Sequence, residues 1–201
     1  MHTIITVCWG DYWERYGKQW SEAVLAITCK PEIIVVSDKP IYTQFKVVYN
    51  NSKHAGLARN AGIQVATGEY VSCSDIDDIP YPHYFDGVDG EHDIIAFALD
   101  KEGGGGMTPD SYMWDRAFEI NAQNPLIVSS AVKRDLLLKH PYRNVGWEDW
   151  ALWLDLRKAG ASVKFDMTPR YFYSRPSGSL ATVNARAKSE EIREMKRQGV
   201  W

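Results

Sequence analysis

The chain has few cysteines, no long apolar run and no excess of positive charge, and each shortage excludes a class of protein. Three cysteines in 201 residues, Cys8, Cys29 and Cys73, lie in apolar contexts without CxxC spacing. They exclude a disulfide framework and a thiolate zinc site, and read as reduced core residues of an intracellular protein. No stretch approaches the roughly 18 apolar residues of a membrane span, and the N-terminus lacks the regions of a secretory leader. The expectation is a soluble, cytoplasmic protein with no transmembrane segment. With 23 basic against 26 acidic residues and a net charge of −3, a broad nucleic-acid footprint built on clustered Lys and Arg is disfavoured. The chain has no internal repeat. Its low-complexity stretch, Gly103 to Gly106, is followed by no Gly-Lys-Ser/Thr and so is not a phosphate-binding P-loop; a mobile lid or disordered loop is expected there.

What is present suits one globular α/β domain. Apolar residues make up 45%, enough for a sizeable core, and 8 Trp with 11 Tyr exceed what packing alone requires. Trp114, Phe118, Tyr142, Trp147 and Trp150 are candidates to stack on a sugar or a nucleobase, with core packing as the alternative. Thr3 to Cys8, apolar on both faces, reads as a central parallel strand. A helix over Tyr12 to Thr28, strands at Ile33–Val36 and Phe45–Tyr49, and a small-residue helix from Gly56 to Ala66 follow, closed by Thr67-Gly68. The next strand begins at Glu69. Further on, strands are expected at Asp93–Leu99, Leu126–Ser129, Ser162–Phe165 and Arg170–Tyr173. Helices are expected over Val132–Lys139, from Gly146-Trp147 to Ala159, and, highly charged, from Val183 to Gln198. The helix to Ala159 is apolar nearly all round, which implies burial on several sides.

The chemistry concentrates where Glu69-Tyr70-Val71-Ser72-Cys73-Ser74 runs into Asp75-Ile76-Asp77-Asp78. Open α/β sheets place ligands at the C-terminal ends of their strands, and three repelling carboxylates there favour a divalent cation; oxygen ligands suit Mg²⁺ or Mn²⁺ shared with substrate phosphates. A calcium loop of the EF-hand kind fails, because Pro80 stands where that loop needs glycine. An aspartyl-phosphate enzyme would carry its acids after the first strand, and a purely structural reading has the acids capping the next turn. Glu148-Asp149 opens a helix, where the dipole keeps a carboxylate ionised and ready to accept a proton. Arg59-Asn60 offers either a phosphate or carboxylate partner or a plain polar face.

Gly56-Leu57-Ala58-Arg59-Asn60-Ala61-Gly62-Ile63, Ala66-Thr67-Gly68-Glu69-Tyr70-Val71 and Ser74-Asp75-Ile76-Asp77-Asp78 together resemble the family 2 glycosyltransferases, inverting enzymes of GT-A fold, in their run from an ARN helix into a DxD strand. Ile34 to Asp38 is similar to the strand whose terminal aspartate holds the nucleotide base, although Lys39-Pro40 replaces the family's Gly-Ser. Glu148-Asp149-Trp150 with Leu156-Arg157 and Gly160 resembles the ED helix; Tyr173 and Arg175 with Gly178-Ser179-Leu180 resemble the late acceptor-side segment.

The resemblance implies a single Rossmann-like GT-A domain over residues 1–182, mostly parallel in its sheet, with a nucleotide-sugar half (1–100), an acceptor half (101–182) and a charged C-terminal helix (183–201). It implies sugar transfer, with inversion, from a nucleoside-diphosphate donor, a UDP-sugar first among candidates. The acceptor is left open among a glycan, a lipid-linked sugar, a protein and a modified DNA base. Asp75 and Asp77 would hold Mn²⁺ or Mg²⁺, Asp38 the base, Arg59 the donor phosphates together with Asp75, and Asp149 or Glu148 would take the acceptor's proton. Pro176 and Ser177 stand where some members supply a histidine to the metal, so no third ligand is carried over. A nucleotidyltransferase of similar fold and a catalytically silent sugar-nucleotide or carbohydrate-binding domain are the competing readings, and a homo-oligomer stays open.

Overall fold

The computed structural model describes residues 1–174 and 185–201. Arg175, Pro176, Ser177 and Gly178-Ser179-Leu180 lie outside the described residues, as does the expected boundary between the main domain and the last helix. The chain runs β1 (His2–Cys8), α1 (Tyr12–Ala26), β2 (Glu32–Ser37), β3 (Lys46–Tyr49), α2 (Ala55–Val65), β4 (Tyr70–Cys73) and β5 (Ile79–Pro80). It continues with β6 (Ile94–Lys101), α3 (Ser111–Asp115), β7 (Ala131–Lys133), α4 (Arg134–Lys139), α5 (Glu148–Lys158), β8 (Val163–Tyr173) and α6 (Ala185–Arg197).

Among the described residues the strands form one eight-stranded sheet in the order β3-β2-β1-β4-β7-β6-β8-β5. β1 pairs in parallel with both β2 and β4, so it is the central strand its two-faced apolar sequence requires. β7 pairs antiparallel with β4 and β6, and β5 antiparallel with β8; the remaining strands share one direction. The sheet separates two apolar layers by residue alternation. Ile5, Ile34, Val36, Val71 and Cys73 pack with Ala58 and Ile63 of α2 and Leu152 and Trp153 of α5. Ile4, Val35 and Tyr70 point the other way, onto Trp20 and Val24 of α1 and Tyr84. Six residues of α5 are buried, as its all-round apolar sequence demands, because α6 closes its outer side through Ile192 against Trp150, Ala151 and Leu154. No helix among the described residues is long and apolar enough to cross a membrane.

Three expectations are corrected. Leu126 to Ser129 forms no strand: the Ser129 carbonyl accepts hydroxyl hydrogen bonds from Ser72 and Tyr84, and the paired segment comes later, at Ala131–Lys133, overlapping the start of the helix expected over Val132–Lys139. The two late strands are one, β8, with register shifts against β6 around Ala98, where Pro169 interrupts the pattern. Cys29 is exposed, whereas Cys8 and Cys73 are buried. The glycine loop reverses the chain so that Met107 pairs with Leu99; Gly103, Gly104 and Gly105 adopt positive φ, and a side chain on Gly106 would run into the Leu99 carbonyl.

Candidate active site

The acid-tipped strand and the acid-capped helix meet across one cleft of about 350 Å³. Asp75 and Asp77 reach it from the turn after β4, Arg59 from α2, and Glu148 and Asp149 from the first turn of α5; Trp9, Tyr12, Lys53, His54, Val128, Trp147, Tyr173 and Lys188 are among its other lining residues. Small residues make this convergence possible. A Cβ on Gly62 would come within 2.8 Å of Ile5, and one on Gly56 within 2.9 Å of Tyr142 and 3.0 Å of Glu148, so α2 lies tight against β1 on one side and α5 on the other. Asn60 fastens the second contact: its amide donates to the Tyr142 carbonyl and accepts from the Tyr142 backbone N–H, both at 2.9 Å.

Arg59 bridges the two acid groups. Its buried guanidinium donates to Asp75 Oδ1 at 3.0 Å and forms a close ion pair with Glu148 Oε1, while the Tyr142 ring lies 5.6 Å from it. The two carboxylates hold Arg59 firmly protonated despite burial. His54 caps α2, its Nδ1 accepting the Leu57 N–H at 3.4 Å, which leaves Nε2 to donate to the Val145 carbonyl at 3.0 Å.

The three acids after β4 have separate fates. Asp78 is buried and accepts the Ser174 backbone N–H at 3.1 Å, tying the end of β8 to the acid turn. Burial, then Asp75 and Asp77, raise its carboxyl well above the ordinary range. Burial and then the neighbouring Asp75 push Asp77 up to about 6. Two half-open carboxylates two residues apart, one held back from ionisation by its surroundings, fit a hard divalent cation that takes its other ligands from phosphate and water. A caged protein site is not what they form. Among the described residues the one convergence of three ligand-type side chains is elsewhere, at Asp89, Glu91 and His92. There Asp89 accepts the backbone N–H groups of Glu91 and His92 and pairs with Lys164 at 3.2 Å, which accounts for its arrangement as a turn.

On the facing wall Asp149 accepts from Asn124 Nδ2 at 2.8 Å. Burial, then the adjacent Glu148, push its carboxyl up to about 7. Asp38 is not part of the cleft lining: it lies at the end of β2, accepting the Gly10 N–H at 3.2 Å beside Trp9 at the mouth of β1. Of the five candidate rings, Trp147 lines the cleft; Trp114, Tyr142 and Trp150 are buried, and Phe118 packs beneath Arg157. Trp9, Tyr12, His54 and Val128 carry no spacing signal and are found only through the fold.

Residues 22–88 match the family model described as Glycosyl transferase family 2, a span that holds Asp38, Arg59, Asp75 and Asp77 but ends before α5. No curated protein matches the sequence. Among solved structures, S. aureus TarS 1-349 in complex with UDP-GlcNAc is similar, with TM-score 0.70 and 15% identity over 97% of this chain and 66% of that one. The mannosyltransferase PcManGT from Pyrobaculum calidifontis, in complex with GDP-Man and Mn²⁺, has TM-score 0.69 and 15% identity over 96% and 64%. Glucosyl-3-phosphoglycerate synthase from Mycobacterium tuberculosis, in complex with Mn²⁺, UDP and glucosyl-3-phosphoglycerate, has TM-score 0.63 and 15% identity over 99% and 80%. The chain thus spans about two thirds of the first two. It has the GT-A fold of these glycosyltransferases, and its match to the glycosyl transferase family 2 model lies within the first half of the chain.

Proposed function

We propose that the protein is a metal-dependent inverting glycosyltransferase that moves a sugar from a nucleoside diphosphate to an acceptor hydroxyl. The observation that carries this reading is the single cleft in which Asp75 and Asp77 face Glu148 and Asp149 across Arg59. Inversion needs opposed groups: one side stabilises the departing diphosphate, and a carboxylate on the other deprotonates the incoming hydroxyl. Residues 1–100 hold the donor and residues 101–182 the acceptor in this reading.

Asp75 and Asp77 would hold Mn²⁺ or Mg²⁺, and the cation when bound supplies charge stabilisation to the leaving diphosphate. The Mn²⁺ in the mannosyltransferase and synthase complexes supports Mn²⁺ as the first choice. Arg59 faces the donor phosphates beside Asp75, with Glu148 as its buried counter-ion. That pairing commits Glu148 to Arg59 and favours Asp149 as the group that accepts the acceptor's proton. Asp38 would hold the base, a role supported by its contact with Gly10, the neighbour of the cleft residue Trp9. A UDP-sugar is the leading donor, in keeping with the UDP-GlcNAc and UDP complexes of similar structures. Three unpaired cysteines support a cytoplasmic site of action.

The test is release of UDP from UDP-GlcNAc, and of GDP from GDP-mannose, with and without Mn²⁺. Metal-dependent release that disappears in Asp77→Ala is expected. Absence of release with both donors, together with pyrophosphate release from a sugar phosphate and a nucleoside triphosphate, would replace this reading with nucleotidyl transfer.

A further inference from the structure

Asn124 belongs to the irregular segment between α3 and β7, far from both acid motifs in sequence. Its Nδ2 nevertheless donates to Asp149 Oδ2 at 2.8 Å, while its own Oδ1 is buried with no partner. The segment is anchored around it. Pro125 and Leu126 are buried, Ser129 is fixed by Ser72 and Tyr84, and Val128 contributes to the cleft wall. Pro125 also restricts the Asn124 backbone to extended conformations. With Nδ2 toward Asp149 the amide donates to the carboxylate, whereas the reversed orientation would set Oδ1 against it, which requires a proton on the carboxyl. The amide orientation found here therefore matches an ionised Asp149.

We propose that Asn124 is a positioning residue that fixes the direction of the Asp149 carboxylate at the cleft and favours its ionised form. This rests on Asp149 being the proton acceptor. The groups that act on Asp149 come from several elements: Glu148 on its own helix, Arg59 on α2, and Tyr142 on the α4–α5 connection, with the Trp150 backbone N–H as a second donor. His54 and Lys188 line the same cleft. Burial and Glu148 disfavour the carboxylate; Arg59, Asn124 and the Trp150 N–H favour it. Asn124 is uncharged, so Asn124→Ala changes the charge state of Asp149 without adding or removing a formal charge.

The experiment follows the Asp149 side-chain carboxyl by carbon NMR through a pH titration of the full chain, free of ligand. Wild type, Asn124→Ala and the isosteric Asn124→Asp are compared, with thermal unfolding to establish that each is folded. Removing a hydrogen bond to a charged group should raise the Asp149 midpoint by about one pH unit in Asn124→Ala. Asn124→Asp, which puts an acceptor in place of the donor, should raise it further. The acid limb of UDP release from UDP-GlcNAc with Mn²⁺ should move by the same amount, with donor KM changed less than about twofold. In wild type the Asn124 side-chain NH₂ resonances should shift with the Asp149 titration, a reading that needs no variant. An unchanged midpoint in a folded variant, or NH₂ resonances indifferent to the titration, overturns the proposal even if donor turnover is intact. A shifted midpoint with no turnover of UDP-GlcNAc or GDP-mannose sinks the glycosyltransferase reading and, with it, the catalytic meaning of the contact.

Discussion

Arg59 is the residue on which the two acid groups depend. Its side chain is 7% exposed, with Glu148 at 14% and Asp75 at 43%, so the Glu148 pair is the one that removal would strand in a water-poor site. Arg59→Ala should cost about 3 kcal/mol, the low end for a broken buried pair because Asp75 remains solvated, measured by denaturant unfolding. A loss below about 1 kcal/mol would mean that the bridge is an exposed pair in solution. Asp149 gives a pH signature. Its carboxyl titrates near 7 in the folded chain, so the base form, and turnover with it, should rise as pH increases toward and through about 7. Linkage has the opposite sign. The folded pKa is raised, so Asp149's contribution to stability is greatest below about 4 and is lost as pH rises to about 7. The stability of Asp149→Asn relative to the parent should therefore improve over that interval, while turnover falls and donor affinity holds. A collapse of donor affinity in Asp149→Asn would move that residue into the donor site.

Between elements, the decisive contact is α2 against the start of α5, made close by Gly56 and clamped by Asn60. Gly56→Ala adds a methyl where Tyr142 and Glu148 stand within about 3.0 Å, so it should destabilise by about 1–3 kcal/mol and weaken turnover by displacing Glu148. Unchanged stability and turnover would show that the two helices have slack. This contact also marks the limit of sequence reading. The strand leading to Asp75 and the helix containing Arg59 were legible because periodicity and glycine punctuation are local. That Arg59 pairs with Glu148, 89 positions away, was not, because it depends on α2 and α5 packing on the same face of the sheet. Leu126 to Ser129 was misread for the same kind of reason. Its composition suits a strand, but the Ser129 carbonyl is held by hydroxyls of Ser72 and Tyr84, and β7 takes the sheet position instead. Asn124 carried no motif at all; a lone asparagine before a proline acquires meaning only when the fold sets it against Asp149.

Across the whole molecule, the sheet divides the labour. The parallel strands β3-β2-β1-β4 share one direction, and the turn after β4 brings Asp75 and Asp77 to the cleft, while antiparallel β7 joins these strands to β6 and β8. The end of β8 returns at Ser174 to the acid turn through Asp78, beside the cleft. A fold so arranged should bind a nucleoside diphosphate through a cation held by Asp75 and Asp77. Loss of one of these carboxylates in Asp77→Ala should reduce turnover by at least about a hundredfold. The most direct measurement is thermal unfolding of the full chain with UDP or GDP, each with and without Mn²⁺. Ligand at about a hundred times its dissociation constant adds roughly 2.7 kcal/mol, a rise in midpoint of about 5 to 11 °C for a domain of this size. Such a rise is expected for one of the two nucleotides, dependent on Mn²⁺ and absent in Asp77→Ala. No rise with either nucleotide, or a rise that persists without metal and in Asp77→Ala, would contradict it.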